Sequence, residues 1–144
     1  MEIYKKNQIL SSFRNDQKFS HQSKHFLMEL YRCDCEKLND ESFLRCLLNR
    51  AAKLANATVL NLISNKFEPQ GVTAIALLAE SHMSIHTWPE SNYSAVDIFT
   101  CGQNMLPEQA SQYLIESLMA KEHALRVIER DPPTAVPQQI RTAV

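Results

Sequence analysis

The stretch LLAESHMSIHTWPE, residues 77–90, sets an acid, a serine, two histidines and the chain's only tryptophan beside an apolar run. Three uses of Ser81 are open. A Ser/His hydrolase needs an elbow such as Gly-x-Ser-x-Gly, and no glycine flanks Ser81. A helix N-cap is a structural use, but no helical pattern follows. The third is attack by the hydroxyl on the carbonyl of Glu80. The ester so formed breaks by elimination, the chain parts between Glu80 and Ser81, and Ser81 becomes an N-terminal ketoacyl group, an electrophile made without a bound cofactor.

His82 and His86 are four apart, which on a helix would put both on one face for a metal. Ile85 and Thr87 are β-branched and Pro89 follows, so the segment reads as a strand. There, residues four apart stand roughly 13 Å from each other, too far to share one ion. The pattern equally suits ordinary polar residues of a half-exposed strand, with Ser84 and Trp88 on the same face.

The elements around this stretch have clear signatures. KHFLMELY (24–31) reads as a strand. NDESFLRCLLNRAAKLAN (39–56) has Asn39 or Asp40 as candidate N-cap and apolar residues Phe43, Leu44, Leu47, Leu48, Ala51 and Leu54 at helical spacing. ATVLNLISNKFE and VTAIALLA, joined by the turn EPQG, predict a hairpin. SIHTW and SAVDIFT are two further strands linked by PESNY, and Pro107 opens the helix PEQASQYLIESLMAKE, with Ala110, Tyr113, Leu114, Ser117 and Leu118 on one face. HALRVIER reads as a last strand.

The fold class expected is α+β: a two-layer α/β sandwich with a mainly antiparallel sheet and helices on one face. Residues 1–22 are polar and unpatterned and read as a flexible extension. Residues 23–130 form one domain, and 131–144, with three prolines in six positions, read as a disordered tail. With only two glycines, Gly71 before the reactive stretch and Gly102 after it, each should have a specific use.

Fifteen basic and sixteen acidic residues give a net charge of −1 with no Lys/Arg cluster, which argues against a nucleic-acid partner. No apolar run approaches the roughly 20 residues of a membrane span. The start MEIYKKNQIL lacks the apolar core of a secretory signal, so the expected address is cytoplasmic. Cys33, Cys35, Cys46 and Cys101 then read as free thiols rather than a disulfide framework.

Three separated blocks, LLAESHMSIHTWPE, FEPQGVTA (67–74) and VDIFTCG (96–102), resemble the short prokaryotic class of S-adenosylmethionine decarboxylase, a pyruvoyl-dependent enzyme of polyamine synthesis. The resemblance runs from about residue 25 to 130. It implies a proenzyme that cleaves itself between Glu80 and Ser81 into a β chain, 1–80, and an α chain, 81–144. It implies that Ser81 becomes the pyruvoyl group that forms a Schiff base with the substrate amine, so that neither pyridoxal phosphate nor a metal is expected. The reaction implied releases carbon dioxide and leaves decarboxylated S-adenosylmethionine, the aminopropyl donor of spermidine biosynthesis.

By the same resemblance His86 drives the elimination step of processing, assisted by the hydroxyl of Thr73. Cys101 is the general acid that protonates the substrate α-carbon. Phe67 and His86 hold the adenine ring and Glu90 the ribose hydroxyls. The cationic sulfonium of such a substrate favours an aromatic lining, which Phe67 and Trp88 can supply. Asn92 and Ser94 stand where the family often has glycine and alanine.

Ser81 and His86 are five positions apart, about 17 Å along a straight strand. A homodimer in which His86 and Thr73 meet the pyruvoyl group of a two-fold related subunit resolves that distance, with sites at the interface. Two alternatives keep the scaffold: a pyruvoyl-dependent arginine or ornithine decarboxylase, and an unprocessed regulatory homologue. A third, a metal-binding module, would need zinc at His82, His86 or the Cys33/Cys35 pair.

Overall fold

Alternation in SKHFLMELY makes β1 (Ser23–Tyr31) a strand with one dry face, on which Phe26, Met28 and Leu30 are buried. The computed structural model describes residues 23–130, so the expected flexible extension, 1–22, and disordered tail, 131–144, lie outside the described residues. Strands β2 (Val59–Lys66), β3 (Val72–Leu78), β4 (His82–Trp88), β5 (Tyr93–Cys101) and β6 (Glu122–Arg130) complete a six-stranded sheet in the order β2-β3-β4-β5-β1-β6. Every neighbouring pair is antiparallel.

Helices α2 (Glu41–Leu54) and α3 (Pro107–Ser117) cover one face of the sheet. Asp40 caps α2, its carboxylate accepting from Phe43 N at 2.9 Å. Leu44, Leu47, Leu48, Ala51 and Ala52 form the buried stripe of α2. Beneath it β3 presents Ala74 and Ala76, both fully buried, and these short side chains fit the close approach of helix to sheet. Ile85, Ile98, Leu114 and Leu118 fill the remaining core. Each such aliphatic side chain contributes about 1.5–3 kcal/mol through its removal from water.

Three local features differ from the sequence expectation. A four-residue helix, α1 (Cys35–Leu38), follows β1, capped by Asp34, which accepts from Lys37 N at 3.0 Å. One turn is too short to carry a period. Helix α3 stops at Ser117 instead of running to residue 122, because Met119 takes a left-handed φ of 57°. The turn PESNY opens with a 3₁₀ helix, Pro89–Ser91, and ends at Asn92, φ 50°. Asn92 stands where glycine is common in the resembled family, and both residues tolerate that conformation.

The other face of the sheet has no helix among the described residues. Across β4, β5 and β1 it aligns His82, Phe99 and His25, then Ser84, Asp97 and Leu27, then His86, Ala95 and Glu29. Trp88 and Tyr93 form the next pair, with Tyr31 stacked on Tyr93.

Candidate active site

Ser81 lies outside the ladder of the β3–β4 hairpin, whose last pair is Leu77 with His82. Leu78 N donates to Ser81 O at 2.9 Å and closes the turn. Glu80 is held from the other side, its Oε2 accepting from Thr58 N at 3.0 Å, while Ala79 N donates to Thr58 O at 2.9 Å. The Glu80–Ser81 peptide therefore joins two separately anchored segments. Its scission would remove no hydrogen bond of either ladder, so a pyruvoyl group at the head of β4 fits this turn.

Cys101 ends β5 and is exposed, opposite Ser23 of β1. The register of β4 on β5, His82 against Phe99, puts Ser81 and Cys101 at the same end of the sheet. A cysteine kept only for packing would be buried, as Cys33 is. Burial pushes the Cys33 thiol up to about 11.

The opposite end of the hairpin holds the remaining candidates. Thr73 and His86 face each other across β3 and β4, and Thr73 Oγ1 shares a hydrogen bond of 2.9 Å with His86 Nδ1. Ser94 Oγ donates to His86 O at 3.0 Å, so this serine, where alanine is common in the resembled family, ties β5 to the histidine's own residue. The His86 ring lies 6.5 Å from Trp88, and Trp88 lies 5.2 Å from Tyr93. Glu90 is exposed in the 3₁₀ turn.

Phe67 projects from the β2–β3 turn and is 49% exposed, which a core phenylalanine would not be. Its N–H donates to Gly71 O at 2.8 Å. Gly71 has φ 100°, and a Cβ there would sit 3.0 Å from Thr87 O. Only glycine meets both demands. Gly71 N also donates to Asn39 Oδ1, and Thr87 Oγ1 accepts from Val72 N and donates to Leu38 O at 2.7 Å. These bonds fix the Phe67 turn against β4 and α1.

Within the chain, then, Thr73, His86, Phe67, Trp88 and Glu90 gather at one end, and Glu80, Ser81 and Cys101 at the other. Ser81 and His86 are five positions apart, about 17 Å at the rise of a strand.

Sequence reasoning missed two polar groupings on the open face. His25 Nε2 donates to Asp97 Oδ1 at 3.1 Å, and Ser84 Oγ donates to Asp97 Oδ2 at 3.2 Å. The Tyr93 hydroxyl donates to Glu29, and its acidity is weakened to about 12 by burial first and the Glu29 carboxylate second. The signal was there: period-2 alternation puts His25 with Leu27 and Glu29, and Asp97 with Phe99 and Cys101, on single faces. Among the described residues no three His, Cys, Asp or Glu side chains come together to hold a metal.

The profile of the S-adenosylmethionine decarboxylase family matches residues 24–131. An S-adenosylmethionine decarboxylase proenzyme of Prochlorococcus marinus (strain MIT 9313) is 58% identical over 118 residues, 82% of this chain and 94% of that protein. One from Synechococcus sp. (strain WH7803) is 59% identical over 119 residues, 83% and 93% of the two chains. The crystal structure of the adenosylmethionine decarboxylase from Aquifex aeolicus VF5 superposes with a TM-score of 0.72 at 35% identity, covering 85% of this chain and 98% of that one. With that match spanning both ends of the open face, the chain belongs to the S-adenosylmethionine decarboxylase family.

Proposed function

We propose that the protein is a self-cleaving S-adenosylmethionine decarboxylase, made as a proenzyme and matured by scission between Glu80 and Ser81. The observation that carries this reading is the Glu80–Ser81 turn, anchored on each side and free of the ladder, in a chain 58% identical to a protein described as a proenzyme. The pyruvoyl group left on Ser81 supplies a ketone that captures the substrate amine and takes up the electrons released with carbon dioxide.

The chain's own residues do the rest. Thr73 orients His86 through Nδ1, leaving Nε2 to exchange the proton that processing requires. Phe67, His86 and Trp88 offer flat surfaces for a purine and for the sulfonium charge, and Glu90 accepts from ribose hydroxyls. Cys101 returns a proton to the α-carbon. Those binding residues and the reacting ones sit at opposite ends of one open face. A two-fold axis through that face brings Phe67, His86 and Glu90 of one protomer to Ser81 and Cys101 of the other, so the working unit is a homodimer with two shared sites. Leu77, Trp88 and Ile63, all more than 40% exposed on this face, support its burial against a second copy.

The test is a carbon dioxide release assay on the purified, processed protein with S-adenosylmethionine, arginine and ornithine as separate substrates. Release from S-adenosylmethionine alone is expected. Release from either amino acid and not from the sulfonium nucleoside would overturn the substrate assignment.

A further inference from the structure

On the sheet His25 is the diagonal neighbour of both Asp97 and Cys101, and its ring is bonded to Asp97. On β5 the three residues Asp97, Phe99 and Cys101 alternate onto the open face, and on β1 His25 is paired with Phe99 while Ser23 is paired with Cys101. His25 is therefore the diagonal neighbour of Cys101, with Cβ atoms about 7–8 Å apart or somewhat less, within reach of an imidazole. Its Nε2 donates to Asp97 Oδ1 at 3.1 Å, and Ser84 Oγ steadies the other carboxylate oxygen at 3.2 Å. The ring is held edge-on by Phe99 at 5.7 Å and His82 at 6.4 Å. With Nε2 committed to Asp97, Nδ1 is the nitrogen left to exchange a proton.

We propose that His25, oriented by Asp97, is the proton partner of Cys101. The inference rests on the role given above to Cys101 as the acid that protonates the substrate. In each turnover the Cys101 S–H bond breaks and a C–H bond forms at the α-carbon, leaving a thiolate. The imidazolium of His25 then loses its Nδ1 proton to that sulfur, and the neutral imidazole regains one from water. Asp97 stabilises the imidazolium and holds it in one orientation. Neither His25 nor Asp97 touches the substrate; His25 acts through Cys101 and Asp97 through His25, as positioning residues.

Other charges face this group. His82 packs on the His25 ring from β4, Glu80 lies at the same end of the sheet, and Glu29 lies further along β1. From β6, Arg130 lies over Phe99 at 5.3 Å, and Arg126 is paired with Leu27. All remain unchanged in the comparisons below.

The test uses the full chain carrying Ser81→Ala, in which cleavage and turnover are blocked. Alkylation of Cys101 by iodoacetamide is followed from pH 6 to 9.5 by peptide mass mapping, with the exposed Cys35 and Cys46 as internal controls. Adding His25→Gln is expected to slow Cys101 alkylation at pH 7 several-fold, because the group that exchanges the thiol proton is lost. Asp97→Asn is expected to slow it less, in the same direction, with Cys35 and Cys46 unchanged. His25→Asn serves as the second variant should His25→Gln not fold. In the processed enzyme His25→Gln should lower kcat several-fold with KM retained, and added imidazole should restore part of the rate to His25→Ala. Cys101 profiles identical with and without His25 would overturn the proposal. If wild type releases no carbon dioxide while Cys101 still responds to His25, the decarboxylase reading falls and the pair stands; turnover with an unresponsive Cys101 has the opposite meaning.

Discussion

Thr73 and His86 are direct partners across β3 and β4 and share a 2.9 Å hydrogen bond through Nδ1. That bond fixes the direction of the imidazole, so the two side chains are expected to act together. Thr73→Ala and His86→Ala are both expected to slow self-cleavage by roughly 100-fold or more, within the range for loss of a general base. Thr73→Ser should cleave at close to the parental rate. The fraction of uncut chain against time on a denaturing gel reads all three, and equal rates for Thr73→Ala and wild type would remove the unit from processing.

The separation of Ser81 from His86 along β4 predicts complementation between defective chains. His86→Ala supplies Ser81 and Cys101, and Ser81→Ala supplies His86, Phe67 and Glu90. In a mixed dimer the intact Ser81 of the His86→Ala chain meets the intact His86 of the Ser81→Ala chain, so that one junction is expected to cleave, which a denaturing gel reads before turnover is assayed. Mixed dimers should then regain one working site of two. Well-folded mixed dimers with no activity would show that each site is built within one protomer.

Gly71 is expected to resist substitution. Gly71→Ala adds a methyl 3.0 Å from Thr87 O at a backbone φ of 100°, and such strain costs about 1–3 kcal/mol. A lowered midpoint of thermal unfolding should come with a raised KM, because the same turn carries Phe67. A stable variant with normal KM would mean that the turn relaxes freely.

Stability should fall at alkaline pH. Burial raises Tyr93 from 10.0 to about 12, and Cys33 from 9.0 to about 11. Both groups hold their protons more tightly folded than unfolded, so their contribution is whole below pH 9. It is lost as pH climbs from 9 to 11 for Cys33 and from 10 to 12 for Tyr93. Urea unfolding at pH 8, 9.5 and 11 should show the midpoint dropping, and Cys33→Ala should flatten the first part of that drop. A midpoint that rises with pH would contradict the assignment.

The layered architecture was legible because its signals are local. Asp40 before a 3.6-period apolar stripe announces α2, and the alternation of Phe26, Met28 and Leu30 announces a strand with one dry face. Helix α1 was not legible, since its stability comes from the Asp34 cap and the burial of Leu38 rather than from any period. The candidate site was half legible. Glu80, Ser81, His86 and Cys101 are recognisable in their sequence blocks, but the pairing of His25 with Asp97 joins residues 72 positions apart. Only the strand order, with β1 inserted between β5 and β6, brings them together. Thr73 meets His86 through hairpin register, which the turn length sets and the residue types alone do not.

Everything turns on scission of one peptide bond, and an intact mass spectrum of the purified protein under denaturing conditions reads it directly. The account predicts two fragments, residues 1–80 ending at Glu80 and residues 81–144 beginning with a pyruvoyl group in place of Ser81. The second should be lighter than its serine form by the elements of ammonia, and it should resist amino-terminal sequencing. A single uncut chain from a folded, dimeric preparation held at 37 °C would contradict the self-cleaving reading.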